Sequence, residues 1–392
     1  MNNVFGYIDE QSDSSFSERP LCEVDALVFA WLSYFEIEKL DNLGINCIGL
    51  TLAELAGAAE QNLGKFKKPS IRQKLISTVT GAWMLKQVSD KARFRDVKIG
   101  GFRTVTDHEN GIQFSATAYI LDNGTEVVAF RGTDTSVAGW KEDCMMTFHS
   151  IVPSQELALG FLNEVDTING IVLAGHSKGG NLAIYAACEC RKDLVSRITD
   201  IYNFDGPGFS IDINQTENYK DVKARIHSYV PGASVFGMLM DHLDDYAVVS
   251  SMNAGLMQHY AFYWKIRGCS FVLKKKRNFS SRSMDTAFNQ WLNSLSVEDR
   301  KKIVEAIFSI LEESGVRYFN EFSSIGFARI KAVFSKMHNM DPESKKMIRA
   351  FFGKLMRASE KEMISTAAGF FGKVKHSVVD KVQGMLPLRS HK

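Results

Sequence analysis

Gly170-Ile-Val-Leu-Ala-Gly175-His176-Ser177-Lys178-Gly179-Gly180-Asn181-Leu-Ala-Ile-Tyr-Ala-Ala187 is the stretch whose reading decides the fold. An apolar strand, Ile171 to Ala174, runs into G-x-S-x-G at Gly175, Ser177 and Gly179. An alanine-rich helix, Asn181 to Arg191, follows without a linker. A serine on a sharp strand-to-helix turn exposes its Oγ above the sheet edge. The two glycines leave room for the turn and for close approach of strand and helix. The helix N-terminus supplies a positive dipole end, and the Lys178 N–H points to where an oxyanion would form. The stretch also fits a glycine-rich turn that binds a phosphate or merely packs.

Outward from this point, strands and helices take turns. Pro153-Ser154 opens a helix that runs to about Ile168 and stops at Asn169-Gly170. Ile112 to Ile120 alternates apolar and polar residues as a half-buried strand does, between hairpin turns at Glu109-Asn110-Gly111 and Asp122-Asn123-Gly124. Thr125 to Phe130, Ile198 to Phe204 and Arg225 to Val230 read as further strands, with Tyr246 to Ser250 and Ala261 to Ile266 as additions. This alternation implies an α/β fold with a mostly parallel sheet flanked by helices.

Both ends read as helical. Glu23 to Leu40 sets Val24, Leu27, Val28, Trp31 and Phe35 on one apolar face, and Thr51 to Ala58 and Ile71 to Val88 look similar. Ser296-Val-Glu-Asp299 opens a helix bearing Ile303, Ala306, Ile307 and Ile310, and Asp341-Pro342-Glu343 opens another through Leu355. The expected division is a helical region at 1–95 packed on the core, an α/β core at 96–274 and a helical region at 275–392. Lys274-Lys-Lys-Arg277 at the second junction reads as a solvated loop.

A serine hydroxyl needs a base, and the base needs a third group to orient it. In chain order serine, acid, histidine, the base lies after Ser177: His227, His242, His259, His338, His376 or His391. The last three fall in the helical tail. His227 reads as a packed core histidine within a strand, and His242 as part of a solvated acidic loop, Asp241 to Asp245. His259 lies in a loop just before the last expected strand and is favoured, with His242 second. For the acid, Asp205 closes the strand Ile198 to Phe204, at the strand end where α/β sheets place their chemistry. It also fits an Asx turn opening Asp205-Gly206-Pro207-Gly208. The next strand's end, Tyr229-Val-Pro-Gly-Ala-Ser234, holds no acid before Asp241. Thr133, after Gly132 at the end of another strand, is the candidate second oxyanion donor through its N–H or hydroxyl.

Composition bounds the remaining possibilities. The chain has 392 residues, 45% of them hydrophobic and 23% charged, with a net charge of +2. That near-balance gives no electrostatic reason for a nucleic-acid partner. Six cysteines without a C-x-x-C pair point to reduced, buried thiols and away from a zinc site. The first thirteen residues lack a basic and then apolar leader, and no window nears the roughly 18 apolar residues of a membrane span. A cytoplasmic protein without cofactors is expected, and membrane-surface contact is not indicated.

Taken together, these segments resemble α/β-hydrolases and, among them, class 3 (fungal-type) triacylglycerol lipases. The likeness rests on Phe130-Arg-Gly-Thr133, then Gly139-Trp140 with Asp143 close behind, then the elbow. It is more specific to a family of uncharacterised bacterial lipase-like proteins, through His176 to Ala183, Asn203 to Phe209 and Gln258-His259. It covers the region from Val24 to about residue 270. The resemblance implies an oxyanion residue at Thr133 and cleavage of a small-molecule or lipid ester. Two features depart from the class 3 pattern. Lys178 stands where leucine is usual, which places a cation beside the site, and Asp205 matches the acid of pancreatic-type lipases, one strand earlier. The expectation is acyl transfer to water by Ser177, His259 and Asp205, with Thr133 and Lys178 N–H groups holding the oxyanion. An inactive binding or scaffolding protein, and an acyltransferase or peptidase with the same triad, are the rival readings.

Overall fold

Segments from residue 98 onward build one eight-stranded sheet. Its strands are β1 (Lys98–Asp107), β2 (Ile112–Ile120), β3 (Glu126–Phe130), β4 (Ile171–His176), β5 (Ile198–Phe204), β6 (Ile226–Pro231), β7 (Ala247–Val249) and β10 (Leu273–Lys274), in spatial order β1-β2-β3-β4-β5-β6-β7-β10. β8 (Ile266–Arg267) and β9 (Ser270–Phe271) form a separate hairpin. The computed structural model describes residues 2–69, 77–134, 136–234, 236–238, 240, 245–277, 296–313 and 317.

β3 to β7 run parallel, and β1, β2 and β10 are antiparallel additions at the edges. Gly111 and Gly124 adopt positive φ, +66° and +82°, in the two expected hairpin turns. The parallel strands are buried on both faces, as crossover helices require. Val127 and Ala129 join one core and Val128 and Phe130 the other; Val172 and Leu173 divide the same way. This is α/β-hydrolase architecture.

One face is covered by α1 (Val4–Gln11), α2 (Glu23–Leu32), α3 (Glu38–Asp41), α4 (Leu52–Asn62) and α5 (Ser77–Val88). The other carries α7 (Pro153–Asn163) and α8 (Lys178–Glu189), which follows α6 (Val137–Met145) in the chain. α9 (Lys192–Val195) and α10 (Tyr219–Val222) are short connectors. α11 (Val297–Glu313) packs on α6, with Val304 and Phe308 against Val137. Its N-terminus is capped as expected, the Asp299 N–H donating to Ser296 Oγ at 3.1 Å.

Several expected boundaries move for physical reasons. The single helix Glu23–Leu40 is two: α2 ends at Leu32, and the Ser33 and Phe35 carbonyls turn to accept from the Arg131 guanidinium at 2.7 and 3.3 Å. Every residue from Val24 to Leu32 is buried, because α2 lies between the sheet and the outer helices α1 and α5. α7 stops at Asn163, short of Ile168. β2 is buried on both faces, its Gln113, Ser115 and Thr117 included. The strand expected at Ala261–Ile266 begins as a 3₁₀ turn, Ala261–Tyr263. Arg277 is buried and donates to the Ser234 carbonyl at 2.9 Å, so the basic cluster is solvated only through Lys276. The six cysteines are free, with Cys47, Cys188 and Cys190 buried. The helix expected from Asp341 to Leu355, His242, Asp241 and the three tail histidines lie outside the described residues. Among the described residues no helix is long and apolar enough to cross a membrane.

Candidate active site

β4 ends at His176 and α8 begins at Lys178, which leaves Ser177 alone on the turn with φ +57° and ψ −133°. An L-residue pays to sit there, and the surroundings hold it: the Ser177 N–H donates to the Phe204 carbonyl of β5 at 2.9 Å, and its own carbonyl accepts from Gly180 at 2.9 Å. The elbow is tight enough to demand glycine. A Cβ at Gly175 would strike the Gly179 carbonyl, and one at Gly179 would strike the Phe130 carbonyl of β3.

The neighbouring strand ends bring the other candidates to the same sheet edge. Asp205 follows β5 at φ +56°, held by its N–H to the Tyr229 carbonyl of β6 at 2.8 Å. Its carboxylate is fully buried. One oxygen accepts from His259 Nδ1 at 2.7 Å and the other from Ser234 Oγ at 2.5 Å. His259 closes a 3₁₀ turn, Gly255–His259, and its side chain keeps 14% exposure. The ring thus faces Asp205 through Nδ1. The His259 ring lies 4.7 Å, centroid to centroid, from that of His176, the residue before the elbow serine.

The loop after β3 passes on the other side. A Cβ at Gly132 would come 3.2 Å from Ser177 Cβ, so this backbone lies against the serine. Thr133 follows, but its hydroxyl is engaged by both oxygens of Asp143 on α6, at 2.7 Å each. The hydroxyl, one of the two expected donors on this residue, is therefore already occupied. Enclosure by protein pushes the Asp143 carboxyl up to about 6, and the Lys178 ammonium and the Thr133 hydroxyl restrain the rise.

Lys178 departs from its expected place. Its side chain is fully buried and folds away from the serine to meet Glu142 Oε2 at 2.8 Å and the Gln113 carbonyl at 2.6 Å. Glu142 also accepts from the Gln113 N–H, the Ser154 N–H and the Ser154 hydroxyl. A buried ammonium seeks a carboxylate, and the nearest lies behind the elbow, on α6. The cation therefore does not face a substrate, whereas the Lys178 N–H still opens α8. His227 likewise is no core residue: it is 36% exposed and paired with Asp200 at 2.9 Å.

Four residues that the sequence reading passed over belong to the site's surroundings. His176 lies in the elbow stretch, where its spacing assigns it no role. Tyr34, on the N-terminal layer, places its hydroxyl 3.2 Å from His176 Nδ1. Ser234 fills the position after β6 where the segment lacks an acid, and it serves the acid one strand away. Asn203 shapes the Asp205 turn by accepting the Gly206 N–H at 2.9 Å. Among the described residues no group of three or more His, Cys, Asp and Glu side chains converges as a metal site would.

The sequence profile of the Mbeg1-like family matches residues 88–309, which span the sheet and every candidate site residue. The chain belongs to that family. The Mbeg1-like match starts after α2 and stops within α11, so Tyr34 lies outside it. No curated protein matches the chain. Among solved structures it is similar to the crystal structure of M37 lipase, with 15% identity, 68% of this chain and 80% of that chain covered, and a TM-score of 0.35.

Proposed function

We propose that the protein is a serine hydrolase that cleaves a carboxylic ester, with Ser177 as nucleophile, His259 as base and Asp205 as the group that orients it. The observation that carries this reading is the 2.7 Å bond from His259 Nδ1 to a fully buried Asp205 carboxylate at the strand end beside the Ser177 elbow. A buried carboxylate on Nδ1 fixes the tautomer with a basic Nε2 and stabilises the imidazolium that forms when the serine gives up its proton. The Lys178 N–H at the start of α8 and the Thr133 N–H in the loop beside Ser177 are the oxyanion donors in this reading. Membership of a lipase-like family supports an ester over an amide. With its ammonium turned inward, Lys178 lends the substrate no charge preference. The chemistry needs no cofactor.

Purified protein treated with a fluorophosphonate and weighed tests the reading, beside Ser177→Ala and His259→Ala. The expected result is one adduct on the wild type and none on either variant. Absence of the adduct from all three removes the triad and favours a hydrolase-fold scaffold.

A further inference from the structure

His176 is enclosed at 3% exposure between the Trp31 ring, 4.9 Å away, and the His259 ring, 4.7 Å away. Both of its nitrogens have partners. Nε2 lies 2.8 Å from the His259 carbonyl oxygen, and Nδ1 lies 3.2 Å from the Tyr34 hydroxyl. A carbonyl only accepts, so Nε2 carries the ring proton. Burial and the neighbouring His259 hold His176 well below the usual histidine range, so the ring stays neutral and Nδ1 is a bare acceptor. The Tyr34 hydroxyl must therefore donate. The result is a directed chain, Tyr34 O–H to His176 Nδ1 and His176 Nε2–H to the main chain of residue 259.

We infer that Tyr34 and His176 are positioning residues for His259: the chain from the N-terminal layer clamps the backbone of the base so that its ring meets Asp205 on one side and Ser177 on the other. This rests on reading Ser177, His259 and Asp205 as the reacting set. His259 sits in a 3₁₀ turn and not on a strand, so its place depends on such clamps. Two others hold the same turn: Trp264 Nε1 donates to the Gln258 carbonyl at 2.8 Å, and the Ala233 N–H donates to Gln258 Oε1 at 3.1 Å. The His176 bond reaches the backbone of residue 259 itself and ties it to the residue adjoining the nucleophile. Gly132 makes room for the arrangement, because a Cβ there would collide with the Tyr34 hydroxyl and the His176 carbonyl. The donor that fixes the His176 tautomer comes from α2's end, outside the family-matched span, so the N-terminal layer takes part in setting the site.

The test uses the full chain and three variants: His176→Leu, which removes the donor; His176→Gln, whose amide returns one to the His259 carbonyl; and Tyr34→Phe. Two measurements are made, the rate of fluorophosphonate adduct formation and the nitrogen and low-field proton NMR of the imidazoles. Wild-type His176 is expected to carry its proton on Nε2 at neutral pH. The Leu variant is expected to lose about tenfold in rate, as an unsatisfied buried carbonyl implies, and the Gln variant to recover most of it. Tyr34→Phe is expected to lose about fivefold, the worth of one net hydrogen bond. The low-field signal of the His259–Asp205 bond shifts in the Leu variant and returns in the Gln variant. Equal rates in the Leu and Gln variants, or a proton on His176 Nδ1, would overturn the inference. If the wild type forms no adduct, it is the hydrolase reading that fails. NMR then decides the positioning role by itself: an unchanged low-field signal in the Leu variant removes it, and a shifted one sustains it.

Discussion

Arg93–Asp25 in the N-terminal layer and Lys178–Glu142 behind the elbow are both fully buried ion pairs, at 2.6 and 2.8 Å, but their settings differ. Arg93 spends its remaining donors on the carbonyls of Ser14, Ser15, Arg19 and Pro20, all from the same chain end. It stitches the segment before α2 to the residues just before β1, and Asp25 adds the Tyr7 hydroxyl to the knot at 2.7 Å. Lys178–Glu142 instead joins four separate elements: β2 through Gln113, α6, α7 through Ser154, and α8. One pair closes a layer of helices. The other locates α6, and with it Asp143 and the loop carrying Thr133, relative to Ser177. The same chemistry thus serves stability in one place and site geometry in the other.

The largest effect is expected from Arg93→Leu. It leaves Asp25 buried without its cation, and about 3–5 kcal/mol of stability should go. Urea unfolding checks the loss, and the adduct rate of the remaining folded protein should be unchanged. Lys178→Met should cost less, about 1–3 kcal/mol, because Glu142 keeps three donors from Gln113 and Ser154. Adduct formation should slow in this variant, however. A wild-type rate would break the contrast between the two pairs.

Asp143 sharpens the contrast through pH. Its folded carboxyl titrates at about 6, above the ordinary aspartate value, so the folded state holds the proton more tightly than the unfolded chain. The stability this group contributes is full below about pH 4 and is lost as pH rises through 6. Urea midpoints between pH 4 and 7 should therefore fall in the wild type relative to Asp143→Asn. Parallel curves would show that α6 does not enclose this carboxylate. The smallest effect belongs to His227→Gln, which removes the half-exposed pair with Asp200 and should change stability by under about 1 kcal/mol.

The strands were legible because apolar runs bounded by turn residues leave little choice, and β5 falls where its pattern put it. The elbow was legible because glycine is required wherever backbones touch, as at Gly175 and Gly179. The orientations of long polar side chains were not. Lys178 reads as a cation beside the site until Glu142 is found against it, 36 residues away in sequence. The break after Leu32 was hidden for a similar reason, since the Arg131 that takes the carbonyls of Ser33 and Phe35 belongs to the loop after β3. His176 shows no period or spacing that marks it, and its role follows from two partners, Tyr34 and residue 259, that only the fold brings together.

The backbone at Ser177 and Asp205 has a consequence for how this chain would change under different selection. Both are L-residues at positive φ, +57° and +56°, where a Cβ costs on the order of 1–2 kcal/mol. Glycine at Ser177 would return that energy and keep the turn, whereas at Asp205 it would also give up the buried bonds to His259 and Ser234. A lineage living only as an inert scaffold would gain stability by such drift at the serine. This chain keeps serine at one strained corner and aspartate at the other.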